Sequence, residues 1–264
     1  MEQSLSPHLY RAAFAAHGLQ GWCYRRVRVP AGRLEASWGD LARRFAGINV
    51  TAPHKLTARR LATAVTPRAA RCGSVNTVTF RTSGSLGDST DGAGFRAALG
   101  EVGAPRPGRV VILGAGGAAR AVAAELRGAG WRVELAARDR GRARRACDEL
   151  GAGVSPLAIS QDELGPALRD ADLLVNATPV GADGVSTPLP EVGLSPRTAV
   201  IDLLYWPSET PLLRSARSSG CRAASGLGML VEQAALAFES WSGLPAPRAE
   251  MLAAVPTVAG RGAG

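Results

Sequence analysis

RVVILGAGGAAR, residues 109–120, is the stretch whose reading decides the fold. Val110, Val111, Ile112 and Leu113 form a short apolar run suited to a strand buried on both faces. Gly114, Gly116 and Ala119 follow at the G-x-G-x-x-[G/A] spacing. Small residues there permit a tight turn and let backbone amides at a helix N-terminus approach a pyrophosphate, which points to a dinucleotide. The motif alone is weak, because apolar strands ending in glycine are common. Its setting strengthens it: Pro105, Pro107 and Gly108 precede it, and further strand–helix alternation follows.

Working outward, 264 residues are enough for two domains, and 46% hydrophobic content permits a core in each. No apolar run approaches the roughly 18–20 residues of a membrane span, and no basic segment followed by an apolar one opens the chain. We therefore expect a soluble cytoplasmic protein with no membrane partner. Cys23, Cys72, Cys147 and Cys221 contain no C-x-x-C pair, so reduced thiols are expected rather than a disulfide frame or a metal site. The net charge of +9 is spread along the chain, and its densest run, Arg138 to Arg145, lacks interleaved aromatics. An anionic small ligand suits it better than nucleic acid. The assembly is left open between monomer and homodimer.

Of the 31 basic residues only one, at position 55, is lysine. Arginine cannot release a proton in a protein, whereas lysine with a lowered pKa serves as acid or base. Gly47 to Lys55 reads GINVTAPHK, a short strand whose end presents Asn49 and Thr51 on one side. Pro53 is expected to open a helix with Lys55 in its first turn, where the helix dipole disfavours an ammonium. His54 is read as a packing or capping residue, since adjacent helical residues point apart.

Upstream, Ser6-Pro7 is read as N-cap and first helical residue, with Leu9, Ala13, Phe14 and Ala16 as an apolar face up to Gly18. With Ser4 this helix start suits a carboxylate, Ser6 as a plain cap being the competing reading. Trp22 to Val29 is expected to be a strand, and Leu34, Trp38, Leu41 and Phe45 mark a helix. Downstream, Asn76 stands at the start of a strand, and Asp91 is placed as N-cap of a helix over Gly92–Leu99.

Together these stretches resemble the shikimate dehydrogenase family. The matching pieces are SLSP (4–7), NVTAPHK (49–55), GSVNT (73–77), STDGAGF (89–95), GAGGAAR (114–120), NATPVG (176–181), DLLY (202–205) and GLGMLVEQA (226–234). They keep the family order and span nearly the whole chain. The resemblance implies reversible reduction of 3-dehydroshikimate to shikimate with NADP rather than NAD, on the route to chorismate and aromatic amino acids. By that analogy Lys55 and Asp91 are the catalytic pair. Ser4 and Ser6, with Thr51 and Tyr205, hold the carboxylate, while Asn49, Asn76 and Gln233 hold ring hydroxyls. It further assigns the cofactor to Gly114, Ala115, Gly116, Gly117, Ala118, Arg138, Arg142, Thr178, Leu203, Gly226 and Met229. Two rivals stay open: a quinate or aminoshikimate dehydrogenase, and an NADP-binding protein without turnover.

In the C-terminal half, Arg132 to Ala137 is the second strand of the nucleotide fold. An NAD site wants an acidic residue near its end, a 2′-phosphate wants arginine. The family's usual N-R-T is here Ala137-Arg138-Asp139, with Arg142 at the second basic position. Leu173–Asn176 and Val200–Leu204 are further strands, a helix begins near Thr210, and another runs from Gly228 to Trp241 with Met229 and Gln233 toward the cleft. The end after Val255 is expected to fray. Two departures stand out: Ser89 replaces the family's Asn, and only Met1-Glu2-Gln3 precede Ser4 where members carry an apolar strand, so a misassigned start is expected. The expected fold is two-domain α/β. Residues 1–100, completed by helices in 226–264, form the substrate domain, and residues 101–225 form a Rossmann-type domain with a parallel sheet.

Overall fold

The structure is a computed structural model and describes residues 4–103, 105–189 and 193–256. The expectations for Met1–Gln3 and for most of the end after Val255 lie outside these residues. The first half runs α1 (Ser6–Ala16), α2 (Leu34–Arg44), β1 (Gly47–Asn49), α3 (Lys55–Leu61), β2 (Ala64–Val65), α4 (Pro67–Cys72), β3 (Thr77–Arg81), β4 (Gly84–Asp88) and α5 (Asp91–Glu101). Its strands make one sheet in the order β1-β3-β4-β2, antiparallel except where β2 lies parallel to β4.

The second half alternates as the apolar runs require: β5 (Arg109–Leu113), α6 (Gly117–Gly128), β6 (Arg132–Ala137), α7 (Arg140–Leu150), β7 (Val154–Ala158), α8 (Gln161–Arg169), β8 (Leu173–Asn176), β9 (Ala199–Asp202), α9 (Pro211–Ser218) and β10 (Ala223–Ser225). These strands form a fully parallel sheet ordered β10-β9-β8-β5-β6-β7. The strand order reverses between β5 and β8, and ligands bind such sheets in the crevice beyond the strand ends at that reversal. The β5–α6 glycine turn sits there. Every residue of β8 and β9 is buried, as a sheet covered on both faces demands.

The chain then returns through α10 (Leu227–Ser242) and α11 (Arg248–Ala253). Met229 of α10 belongs to the core around the parallel sheet, whereas Leu230, Ala234 and Phe238 pack with Leu9, Tyr10 and Phe14 of α1. Further along, Trp241 donates its indole N–H to the Val78 carbonyl of β3 (3.1 Å). One helix thus ties the parallel sheet, the small sheet and α1 together.

Three expectations need correction. Trp22 to Val29 forms no strand: among the described residues no strand pairs with it, and residue type cannot make a strand where no neighbour takes its hydrogen bonds. Ser6 is the first helical residue, not the cap, because Leu5 takes the cap position and its carbonyl accepts from His8 and Leu9. Pro53 does not open a helix; it follows a cis peptide in the turn Thr51–His54, and α3 begins at Lys55.

Candidate active site

Lys55 opens α3 after a turn closed by His54 N–H donating to Thr51 O (2.9 Å). Its Nζ meets Asp91 Oδ2 at 2.5 Å, the lysine side chain 13% exposed and the aspartate 5%. Charges that far from water must be fully hydrogen-bonded to persist. Asn76 provides a second contact to the carboxylate, donating from Nδ2 to Asp91 Oδ1 (2.8 Å). Asp91 is therefore not an N-cap: Thr90 holds that position, Asp91 is the first residue of α5, and its carboxylate turns to Lys55 and Asn76. His54 is buried, with its Nε2 on Val29 O (2.9 Å), a packing residue as expected.

Asn76 is itself held. Its Oδ1 accepts from Thr90 N (2.8 Å), and its Nδ2 also reaches Thr90 Oγ1 (2.9 Å) and, at 3.4 Å, Gln233 Oε1. Lys55, Asp91, Asn76 and Gln233 line one cavity of about 1060 Å³, together with Asn49, Thr51, Ser4, Ser6 and Tyr205. Ser4 Oγ accepts from Ser6 N–H (3.4 Å) at the start of α1. Burial pushes the Tyr205 phenol up, against hydrogen bonds with Ser4 and the Leu5 backbone. Thr51 is exposed at the cavity edge. All the residues expected to hold substrate are thus brought together.

The same cavity reaches Ala118, Leu203, Gly226 and Met229. Gly114 adopts φ +113°, a conformation L side chains rarely take, facing the Ala177 backbone and Thr178. Gly117 lies so close to the other lobe that an added Cβ would stand 2.6 Å from Ser74 Oγ and 2.7 Å from Lys55 Cβ. Ala115 is buried in the core behind the turn, and Gly116 caps α6. A Cβ built on Gly116 would lie 3.8 Å from an Arg142 guanidinium nitrogen, so the glycine turn and that arginine converge. Arg138 is exposed at the end of β6. Asp139 accepts from Arg142 N–H (2.9 Å) as N-cap of α7, so one of its carboxylate oxygens is engaged by the helix start. A bare turn opposite a helix start, flanked by two exposed arginines, fits a phosphorylated dinucleotide.

Beneath this mouth Asn176 Nδ2 donates to Asp202 Oδ1 (2.9 Å), and Thr178 Oγ1 donates to Asn176 Oδ1 (2.7 Å). Thr210 Oγ1 donates to Asp202 Oδ2 (2.7 Å). Burial pushes the Asp202 carboxyl up against these bonds. The network fixes the ends of β8 and β9, where Thr178 and Leu203 sit.

Two residues of the site escaped sequence reasoning. Tyr10 and Tyr24 both donate to Asn49 Oδ1, at 2.8 and 3.1 Å. The available signal was scarcity, because the chain has three tyrosines and all three reach this cavity or its lining side chains.

Comparison with known proteins agrees with this geometry. Residues 1–78 match the shikimate dehydrogenase substrate binding domain, and residues 226–255 the shikimate 5′-dehydrogenase C-terminal domain. Residues 87–188 match the alanine dehydrogenase/PNT C-terminal domain. The chain is 42% identical over 255 residues to the NADP(+) shikimate dehydrogenase of Symbiobacterium thermophilum, covering 92% of this chain and 86% of that one. Among solved structures it is similar to shikimate 5-dehydrogenase of Thermus thermophilus in complex with NADP(H) and shikimate, with TM-score 0.84, 38% identity and 96% and 94% of the two chains covered. It is also similar to quinate dehydrogenase of Corynebacterium glutamicum in complex with NAD, with TM-score 0.82, 30% identity and 96% and 94% coverage. A paired lysine and aspartate facing a glycine turn, in a chain that matches these relatives nearly end to end, make this protein a member of the shikimate dehydrogenase family.

Proposed function

We infer that the protein catalyses the reversible NADP-dependent interconversion of shikimate and 3-dehydroshikimate in the cytoplasm. The observation that carries this reading is the Lys55 Nζ–Asp91 Oδ2 contact of 2.5 Å, placed in a cavity that also borders the glycine turn through Ala118. Residues 1–100 with 226–264 act as the substrate domain, and residues 101–225 as the nucleotide domain.

When bound, NADP supplies the hydride acceptor or donor. In the reductive direction the Lys55 ammonium gives a proton to the carbonyl oxygen as that oxygen gains negative charge, and in the oxidative direction the neutral amine takes it back. Asp91 holds the ammonium in place and stabilises its charge, and Asn76 keeps the carboxylate from turning. Ser4, Ser6 and Tyr205 hold the substrate carboxylate, with Thr51 at the rim. Asn49 and Gln233 take ring hydroxyls. Arg138 and Arg142 take the 2′-phosphate, the role that separates NADP from NAD.

The test is absorbance at the nicotinamide band with purified protein, pairing shikimate or quinate with NADP or NAD. Shikimate with NADP is expected to give the highest kcat/KM of the four pairs. Faster turnover of quinate with NAD overturns the assignment, and nicotinamide binding without turnover converts it to a binding protein.

A further inference from the structure

We propose that Tyr10 and Tyr24 are positioning residues that orient the Asn49 carboxamide toward the substrate, an inference that rests on the reading above and deepens it. A phenol buried in an apolar core needs a partner for its hydroxyl. Tyr10 is fully buried on α1 among Leu9, Phe14 and Phe238, yet its hydroxyl emerges at Asn49 Oδ1, 2.8 Å away. Tyr24 comes from the irregular segment between α1 and α2, packs against the same core, stacks on Tyr10 (ring centroids 4.2 Å apart, 17° between planes) and donates to the same oxygen at 3.1 Å.

A carboxamide oxygen has two lone pairs, and the two phenols occupy both. The amide cannot be turned over to the same effect. On its other side Asn49 Nδ2 faces the backbone carbonyl of Asn76 (3.5 Å) and Thr77 Oγ1 (3.3 Å), and a carbonyl oxygen accepts only. Oxygen toward the phenols and nitrogen toward the strand is the arrangement that pairs every group. Asn49 lines the cavity, so what it offers a ring oxygen there is an N–H held by long, weak contacts that a ligand can displace. It has no lone pair left to receive a ring O–H.

The same phenols link Asn49 to the carboxylate end. Tyr24 is also hydrogen-bonded with the Ser6 side chain, and burial pushes its phenol up to about 12. Burial likewise raises Tyr10 well above its ordinary value. Both hydroxyls therefore stay protonated throughout neutral pH, and the clamp does not titrate where the enzyme works.

A double-mutant cycle in the full-length protein tests this, using Tyr10→Phe, Asn49→Ala and the double variant, each assayed with shikimate at saturating NADP. Phenylalanine keeps the ring and its packing and removes one donor. Tyr10→Phe is expected to raise KM for shikimate by roughly 5- to 10-fold, the size of one hydrogen bond to a polar group, with kcat within about twofold and KM for NADP unchanged. The double variant is expected to be no worse than Asn49→Ala alone, because Tyr10 acts through the amide. Tyr24→Phe, at a half-buried position, is put through the same cycle and keeps the test valid if Tyr10→Phe yields little folded protein; because it also loses the bond to Ser6, its penalty is expected to shrink in the Asn49→Ala background without vanishing. Penalties that add in the double variant, or a fall in kcat with both KM values unchanged, overturn the proposal, the second by assigning the tyrosines to stability alone. Absence of shikimate turnover by the unsubstituted protein overturns the functional reading, and this inference with it, whereas turnover with an additive cycle overturns this inference only.

Discussion

The two sheets present their ligand-facing groups in opposite ways. In the parallel sheet β8 and β9 are buried end to end, and what borders the proposed cofactor mouth is mostly backbone: a glycine turn after β5 and the loops after β8 and β9, with arginines beyond β6. The small sheet has strands of two to five residues, and the ends of its strands carry polar side chains already hydrogen-bonded to one another, Asn49, Asn76, Thr77 and Asp91, while Asp88 is held by Thr66 and Arg68. In the proposed function one side binds by shape and the other acts by chemistry. Substitutions on the two sides should then fail in different ways.

The sharpest break is Lys55→Ala. A lost acid–base group costs on the order of 10² to 10⁴ in kcat. Nucleotide affinity, measured by NADPH fluorescence, is expected to stay within a factor of about two. If kcat falls only slightly, the proton travels through another group and the small sheet loses its chemical role.

Gly117→Ala probes the shape side. Its new Cβ would stand 2.7 Å from Lys55 Cβ and 2.6 Å from Ser74 Oγ, so either the lobes part or the lysine moves. Displacing a reacting group by about 1 Å costs up to roughly 10²-fold. Here kcat and KM for NADP are both expected to worsen, unlike Lys55→Ala, and stopped-flow kinetics separate the two. A variant matching the original enzyme in both constants removes the argument from close approach.

Arg142→Ala sharpens the shape side further, since it removes a cation without touching the cavity. A hydrogen bond to a charged group is worth about 1.5–3 kcal/mol, so KM for NADP is expected to rise roughly 10- to 100-fold with kcat preserved. KM for NAD should scarcely change. Equal losses with both nucleotides would assign Arg142 to α7 rather than to a phosphate.

The smallest effect belongs to Asp88, which joins β4 to α4 through Arg68 and Thr66. Burial raises its carboxyl, but hydrogen bonds from Arg68 and Thr66 outweigh this and hold it below the ordinary value of 3.8. A carboxylate depressed in the folded state stabilises fully above its unfolded pKa and loses that contribution as pH falls through the folded pKa. Asp88→Asn is expected to cost about 1–3 kcal/mol at neutral pH, seen as a lower urea midpoint, with kcat unchanged. The difference from the unsubstituted protein should shrink below about pH 4. A gap that persists in acid would show that packing, not charge, holds α4 to its strand.

The same contrast explains what was legible in the sequence. Leu173–Asn176 is buried at every position, and Arg132–Ala137 is buried at Val133, Leu135, Ala136 and Ala137; β8 and β6 occupy those spans. The small sheet was harder to read, because its elements depend on neighbours. Trp22–Val29 carries aromatic and β-branched residues suited to a strand but finds none beside it among the described residues. Asp91 carries a sound capping signal, yet a lysine 36 positions earlier in the chain claims its carboxylate. Local rules see the helix start and not the distant cation. Lys55 was legible for the opposite reason: as the lone lysine among arginines, its chemical type needed no knowledge of contacts. Tyr10 was hidden because one residue both fills the α1 core and carries a polar tip to Asn49.

Because α10 returns to pack on α1 while its first turn joins the other core, the protein cannot be divided at a single point in the gene. A truncated product stopping ahead of Leu227 would strip Leu9, Tyr10 and Phe14 of Leu230, Ala234 and Phe238. On the ribosome, α1 must therefore wait for both sheets to be made before its partner arrives, and a helix synthesised early is among the last of the described elements to find its final surroundings.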